Sequence, residues 1–540
     1  MHSPRATATG IAANPGRGCR ILPRPVGPGM ETRPADGHCA GPPGQGVPAG
    51  AVLQPCNSAK GRGMITVIDR DSETPIQTQL RQSIIEAIHG RAMRGGQKMT
   101  PSRLLARRLG IARNTVTAVY EDLVARGYLE SVARRGYFVA LRTPAPCGPP
   151  VAPGPRVDWD ARFRQRPSRM RHIVKPSNWQ DFPYPFVYGQ VDPGLFPINT
   201  WRTCSRDALG RSAIDWWTAD RAVEDDPLLV EQILSQILPQ RGIYARPEEV
   251  LITLGTQEGL YLLSRLLVRA DTRVGVETPG YPDARTIFAQ DGARIVDLPV
   301  DAQGARLAQA GPLDVAVLTP TRQCPTMVAM SAPRRAEVLA AARLHDTILV
   351  EDDYEGETDF SAEATTLKSQ DVDGRVAYLG TLSKVLAPGV RLGFMVADAA
   401  LIEEARWLRR LIHRSAPLNN QRTAAIFLAE GHYQRLLRTL RAALERRFEA
   451  ISAGCDAHLP GFRRSDSTGG SSLWLEAPPG LDTSRLFHAA AARGVLTESG
   501  DPFVPEADTG RYLRLGISYI HERRIEAGLR ALGEAAQDCR

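Results

Sequence analysis

The chain has 540 residues, 43% of them apolar and 23% charged, with a formal net charge of +8. That length predicts more than one domain, and the apolar share is enough for a full core. No run of about 18 apolar residues occurs, so no transmembrane helix is expected, and the Pro-, Gly-, Ala- and Arg-rich N-terminus lacks the apolar stretch of a signal peptide.

Eight cysteines are scattered without a Cys-x-x-Cys spacing, which suggests neither a disulfide framework nor a zinc site; no metal is expected and the chain reads as cytoplasmic. Charge is unevenly placed. Residues 1–63 carry seven Lys/Arg against two Asp/Glu, residues 64–142 carry thirteen against seven, and residues 143–540 are left at −3. A basic head on a mildly acidic body directs the search for a nucleic-acid partner to the head.

Residues 1–63 have no hydrophobic periodicity and much Pro and Gly, and are expected to be disordered. More ordinary sequence opens at Met64, an expected start of translation. Residues 75–90 predict an amphipathic helix, with Ile76, Leu80, Ile84, Ile85 and Ile88 at three- and four-residue spacings. From Pro101 the pattern predicts a short helix, a turn at Gly110, and a second helix from Arg113 to Arg126 that buries Val116, Val119, Tyr120, Leu123 and Val124. Arg113, Asn114, Thr115 and Thr117 are left near its start. Arg reads guanine, Asn reads adenine, and backbone N–H groups meet phosphate, so such a start suits a major groove. Tyr128–Glu130 and Tyr137–Val139 predict a hairpin with Arg134, Arg135 and Gly136 at its tip, a basic wing. Helix-turn-helix spacing alone would equally describe a three-helix module with a solvated basic face; the wing and the charge bias favour DNA. Pro101-Ser102…Leu105-Ala106, Arg113-Asn114-Thr115-Val116 and Gly127-Tyr128-Leu129 resemble the GntR-type winged helix. The resemblance implies double-stranded promoter DNA as a partner, with Arg103, Arg113, Thr115 and Thr117 as contacts and Arg134 or Arg135 in the adjacent groove.

Repeated Pro and Gly over 143–180 predict a semi-stiff linker. From 181 to 540 strand-like and helix-like segments alternate. Strands are expected at Val250–Leu254, Arg273–Val276, Val315–Leu318, Thr347–Val350 and Val376–Leu379. Such alternation predicts an α/β body, a mostly parallel sheet with helices on both faces and ligands beyond the strand C-termini. The last 100 or so residues are expected to form a smaller lobe.

Past the strand at Val376 comes Thr381-Leu382-Ser383-Lys384, then Pro388-Gly389-Val390-Arg391-Leu392-Gly393. A buried lysine is readily shifted to the neutral amine, which attacks aldehydes. Thr381, Ser383 and Arg391 are suitable phosphate partners. A bare Ser-Lys pair describes a surface lysine in a loop; an aldehyde and a phosphate together describe pyridoxal 5'-phosphate (PLP). Gly255-Thr256-Gln257 follows a strand and opens a helix, a phosphate-cradle pattern that many such turns share. Glu351-Asp352-Asp353 ends another strand; a carboxylate facing the pyridine nitrogen keeps it protonated. Three adjacent acids repel unless one has a cationic partner.

The lysine string resembles the Schiff-base segment of the fold-type I aminotransferases. The resemblance implies that Lys384 carries PLP, that Thr256 and Gln257 form the phosphate turn, and that Tyr281 stacks on the ring. It further implies that Asp352 pairs with the pyridinium, Tyr354 bonds the ring hydroxyl, and Arg514 grips an effector carboxylate. One departure stands out. Where aminotransferases carry Asn-Pro-x-Gly this chain has Cys324-Pro325-Thr326-Met327, which puts efficient transamination and the local backbone in question. A GntR-type winged helix joined to such a body resembles the MocR family of regulators, over about 64–540. That implies a homodimer and a PLP-dependent transcription factor, in which PLP or a small amino compound such as GABA, taurine or an ectoine derivative acts at the Lys384 aldimine. Two other readings remain at this point: a working aminotransferase with an accessory basic domain, and a DNA-binding protein whose body serves only dimerisation.

Overall fold

The structure, a computed structural model, describes residues 68–70, 72, 74–141, 157–359 and 365–539. The expected disordered extension 1–63 and the linker residues 143–156 lie outside the described residues. The chain divides into two units, Met1–Arg156 and Val157–Arg540.

The first unit is a winged helix. Helix α1 (Ile76–His89) buries Leu80, Ile84 and Ile88, which fall four residues apart and so share one face. Helix α2 (Ser102–Leu109) stops at Gly110, and α3 (Arg113–Ala125) buries Val116, Val119, Tyr120 and Leu123. These side chains meet Leu129 and Val139 of the antiparallel hairpin β1 (Leu129–Val132) and β2 (Gly136–Val139) in one core. The expected helices and the wing are all present, and Arg134 and Arg135 sit exposed at the wing tip.

The second unit is built on an eight-stranded sheet. Its spatial order is Val250–Thr253, Gly393–Val396, Val376–Thr381, Ile348–Asp353, Val315–Leu318, Arg273–Thr278, Arg294–Asp301, Gly304–Ala305. Gly393–Val396 runs antiparallel to both neighbours, as the two-residue edge strand does to its one; all other pairings are parallel. Alternate residues enter different cores. Ile252, Tyr378 and Phe394 pack with helices Leu418–Ala429 and His432–His458, whereas Leu251, Leu379 and Met395 pack with Thr256–Leu267 and Ala399–Ile412. Both faces are therefore covered, which is why these strands read as continuous apolar runs.

Three strands run further than their apolar pattern, ending at Thr278, Asp353 and Thr381 rather than at Val276, Val350 and Leu379. The strand expected to end at Val350 continues through Glu351, Asp352 and Asp353, because these pair in register with Tyr378, Leu379 and Gly380. A smaller lobe follows. Its four-stranded antiparallel sheet has the order Arg463–Arg464, Ser472–Glu476, Tyr512–Gly516, Glu498–Ser499. Helices Thr483–Ala492 and Glu522–Asp538 cover it around a core that includes Phe186. The 27-residue helix His432–His458 contributes to the cores of both lobes.

Residues 157–180, expected as the end of the linker, belong to the second unit. Their polar side chains find fixed partners there: Gln165 donates to the Gln290 carbonyl, Arg171 to the Val504 carbonyl, and Lys175 pairs with Glu498. No helix among the described residues is long and apolar enough to cross a membrane.

Candidate functional site

The C-terminal ends of five sheet strands, Val250–Thr253, Arg273–Thr278, Val315–Leu318, Ile348–Asp353 and Val376–Thr381, open on one cavity of about 290 Å³. Thr256, Tyr281, Cys324, Asp352, Tyr354, Lys384 and Arg514 all line it. Six of the residues expected at a cofactor or effector site, from segments up to 258 positions apart in sequence, are thereby brought together.

Lys384 follows the buried strand Val376–Thr381. Its Nζ lies 4.0 Å from the ring centre of Tyr188 and 5.9 Å from that of Tyr354. Burial pushes its ammonium down to about 8, an effect that Glu355 opposes. A substantial neutral fraction near neutral pH is what a nucleophilic amine requires. Gly189 also lines the cavity, at φ +71, and a Cβ there would stand 3.1 Å from Lys384 Nζ. Any side chain at 189 would crowd the amine and strain the backbone.

The three acids divide their work by strand alternation. Glu351 accepts from the backbone N–H groups of Leu367 and Lys368. Asp353 accepts from Arg241 Nε at 2.9 Å and from the Tyr378 hydroxyl at 2.7 Å. Asp352 faces the cavity, and its Oδ1 is buried without a hydrogen-bond partner. Desolvation pushes its carboxyl up to about 7, with Thr256 pulling the other way. The Tyr354 hydroxyl is likewise buried and unpartnered, and burial holds it well above the ordinary phenol range. Two orphaned polar atoms in one cavity leave room for a ligand that offers an N–H to Asp352 and an oxygen to Tyr354. PLP, with its ring nitrogen and ring hydroxyl, fits that donor and acceptor set.

Tyr281 forms part of the wall. Its hydroxyl donates to Gln257 Oε1 at 2.7 Å and lies 3.1 Å from Asp283 Oδ2, so Gln257 is engaged with Tyr281. Thr381, Ser383 and Arg391 do not line the cavity. The hydroxyls of Thr381 and Ser383 point at the Leu392 carbonyl, at 3.4 and 3.3 Å. Arg391 donates to the Leu254 carbonyl, and its guanidinium carbons and nitrogens lie 3.6–3.8 Å from where a Cβ of Gly255 would be. Gly255, at φ +93, immediately precedes helix Thr256–Leu267. Arg391 and the helix start are thus adjacent, as a shared anion site needs.

Cys324 sits at the cavity, and burial pushes its thiol up to about 12. Met327 takes φ +61, the left-handed conformation that glycine favours, while fully buried. The glycine-type backbone is therefore kept although the glycine is not, at a strain of roughly 1–2 kcal/mol. In a separate place, Cys204, Glu430 and His432 bring ligand-type atoms within 4.8 Å; burial first, then Glu430, raises the Cys204 thiol, against the thiolate a metal requires.

Arg514 is 1% exposed. Its Nε donates to Glu498 Oε2 at 2.8 Å, and its guanidinium carbon lies 4.2 Å from the Tyr188 ring centre and 4.6 Å from that of Phe503. Glu498 also pairs with Lys175 at 3.1 Å and accepts the Tyr188 N–H at 3.2 Å. Against desolvation, Arg514 and Lys175 hold its carboxyl below the ordinary range. The Tyr188 hydroxyl donates to Glu355, which the Ser471 hydroxyl also reaches. Sequence reasoning missed Lys175, Tyr188, Gly189, Glu355 and Glu498. Only Glu498 left a trace there, as an acid following the apolar Val495 and Leu496.

In the first unit Arg103, Arg113, Asn114, Arg134 and Arg135 are exposed, and Thr115 and Thr117 are half-buried. The Thr117 hydroxyl donates back to the Arg113 carbonyl at 3.1 Å. No side chain caps the start of α3, so its first N–H groups are unspent by a cap. Arg135 and Lys98 flank the Phe138 ring at 5.6 and 5.9 Å.

Two family descriptions match the chain: "Bacterial regulatory proteins, gntR family" over residues 76–139, and "Aminotransferase class I and II" over 227–532. Among curated relatives, the HTH-type transcriptional regulator TauR of Rhodobacter capsulatus is 40% identical over 465 residues, covering 85% of this chain and 96% of the relative. The probable rhizopine catabolism regulatory protein MocR of Rhizobium meliloti is 30% identical over 445 residues, covering 79% and 87%. Among solved structures, the α-aminoadipate aminotransferase LysN of Thermus thermophilus, complexed with N-(5'-phosphopyridoxyl)-L-leucine, aligns with a TM-score of 0.64 at 26% identity, over 71% of this chain and 99% of that one.

Proposed function

The chain belongs to the MocR type of GntR-family transcriptional regulators, and from that premise we propose that its body holds PLP on Lys384 and that a small amino compound acts there to set how the head grips a promoter operator. One observation carries this reading. The Lys384 amine shares a single cavity with two buried, unpartnered polar atoms, Asp352 Oδ1 and the Tyr354 hydroxyl.

The bound cofactor would supply an aldehyde carbon that reacts with amines and a ring that withdraws electrons. The protein's own residues do the rest. Lys384 offers a neutral amine, and burial makes it available near neutral pH. Asp352 would hold a proton at the ring nitrogen, Tyr354 would donate to the ring oxygen, and Tyr281 would cover a ring face. Thr256, Gln257, Thr381, Ser383 and Arg391 would surround the phosphate, with Arg391 supplying the charge. Arg514 would orient an acidic group of the effector. An amine competing with Lys384 for the site would shift the protein only by its difference in affinity for two conformations.

In the head, Arg113 and Asn114 on the exposed start of α3 would read bases, Thr115 and Thr117 would support them, and Arg103, Arg134 and Arg135 would meet phosphate or the adjacent groove. The protein would act as a homodimer, as the resemblance to the MocR family implies. Fluorescence anisotropy with the DNA flanking its own gene, with and without PLP, tests the reading. The expected result is a cofactor-dependent change in affinity or footprint. Equal binding in both states, together with steady turnover of an amino donor and a 2-oxo acid, would instead support an aminotransferase.

A further inference from the structure

Arg514, the residue expected to take the effector's acidic group, is already engaged. Its Nε–H is spent on Glu498. Its Nη2 lies 2.8 Å from the same oxygen yet forms no hydrogen bond there, so this buried group still has N–H to give. Glu498 is shared: its other oxygen holds Lys175. One carboxylate thus faces two cations, and the wall that carries them retains one uncompensated positive charge. Both Lys175 and Arg514 line the cavity, whereas Glu498 stands behind them.

Lys175 lies on a distinctive element. Residues 165–175 form a strap along the body. Gln165 is tied to Gln290, Arg171 to Val504 and Asp501, and Ile173 packs beside Cys324, Trp474 and Phe503. The strap also lies close to the N-terminal edge of the second unit, which begins at Val157, on the side that leads in sequence from the winged helix, whose wing ends at Val139. Any force on Lys175 therefore acts on the segment through which the head is tethered.

We infer that Lys175 is an effector-binding residue: with Arg514 it takes the anionic group of the amino compound, carboxylate or sulfonate, and so carries occupation of the cavity into the strap. The inference rests on the reading of this cavity as the cofactor and effector site. A lysine ammonium has three N–H donors, of which Glu498 takes one, so an incoming anion can join the pair without displacing Glu498. Charge-assisted bonds from two cations in a buried site give discrimination that a lone exposed pair does not. With the anion bound, Lys175 gains a second tie; without it Glu498 is its one ion-pair partner among the described residues.

The test uses the full chain loaded with PLP, titrated with β-alanine, 4-aminobutyrate and 2-aminoethanesulfonate, each against the alkylamine of matching length that lacks the acid group. The readout is the change in the visible absorption band. In the wild type at least one acid-bearing amine should act at roughly tenfold lower concentration than its alkylamine, because the site's donors go unanswered by the analogue without an acid group. In Lys175→Met that ratio should fall towards one, and in Lys175→Arg it should return. Limited trypsin digestion gives a second readout, at the exposed arginines Arg162 and Arg164 just before the strap and Arg169 within it. The acid-bearing amine should slow their cleavage in the wild type and leave it unchanged in Lys175→Met. An acid preference that survives Lys175→Met, or no acid preference in the wild type, overturns the inference while the cofactor reading stands. A wild type that shows no band at all overturns both.

Discussion

Asp352 and Asp353 are neighbours in the chain and face opposite ways. Asp353 is bound to Arg241 and Tyr378 beneath the sheet, while Asp352 presents an unpartnered oxygen to the cavity. Asp353 is held by a cation and a phenol away from the cavity, whereas the free oxygen of Asp352 is the one that a ligand in the cavity can reach.

Asp352 should stabilise the cofactor-free protein least at high pH. Its folded carboxyl titrates near 7, against 3.8 for an ordinary one. Between those values the folded state keeps a proton that the unfolded state has lost, so stability falls as pH rises through that window, by on the order of a few kcal/mol. Asp352→Asn should therefore melt higher than the wild type at pH 8 without cofactor and about equally at pH 4. It should at the same time bind PLP more weakly. Thermal melts at both pH values and a cofactor titration check this; a variant less stable at pH 8 contradicts it.

Arg241 tests the other acid. Arg241→Met leaves Asp353 buried with Tyr378 as its remaining side-chain donor. Breaking one side of a buried pair costs about 3–5 kcal/mol. Urea denaturation should show that loss. A change under about 1 kcal/mol would mean that Asp353 is neutral or solvated.

Gly189 should be intolerant of the smallest side chain. Gly189→Ala places a methyl 3.1 Å from Lys384 Nζ and holds alanine at φ +71. The backbone cost is roughly 1–2 kcal/mol. Cofactor uptake should slow or weaken by more than stability alone explains, read as the rate at which the visible band appears. Normal uptake in a destabilised variant would restrict Gly189 to a turn role.

On the head, Arg113→Ala should weaken operator binding by about 1–3 kcal/mol if it reads a base, with little change in salt slope. Arg134→Ala, at the wing tip, should instead lower that slope by about one. Neither should alter the visible band. Joint loss of DNA binding and cofactor in Arg113→Ala would contradict two separable modules.

The winged helix was legible because each element announces itself locally. Leu80, Ile84 and Ile88 fall at helical spacing, and Gly110 and Gly136 mark turns. The body's sheet was legible for the same reason, since strands buried on both faces, such as Val315–Leu318, are short unbroken apolar runs. The lysine and the run of acids at 351–353 stood out as strand-end chemistry, while the choice of Asp352 and the role of Tyr354 came from the resemblance to aminotransferases. Lys175, Tyr188, Gly189 and Glu498 were not, because their meaning is a long-range pairing. Glu498 acquires its role only when its strand is placed opposite Arg514, and Lys175 sits in a Pro-rich stretch whose composition reads as linker. Strand ends also escaped: Glu351–Asp353 are poor strand formers that the ladder with Tyr378–Gly380 holds in place.

The most direct measurement is a titration of the purified full chain with PLP, recorded as visible absorbance, for the wild type beside Lys384→Ala. The account predicts a saturable band at one cofactor per chain in the wild type and none in the variant. A wild type that stays colourless, or a variant that develops the same band, contradicts it.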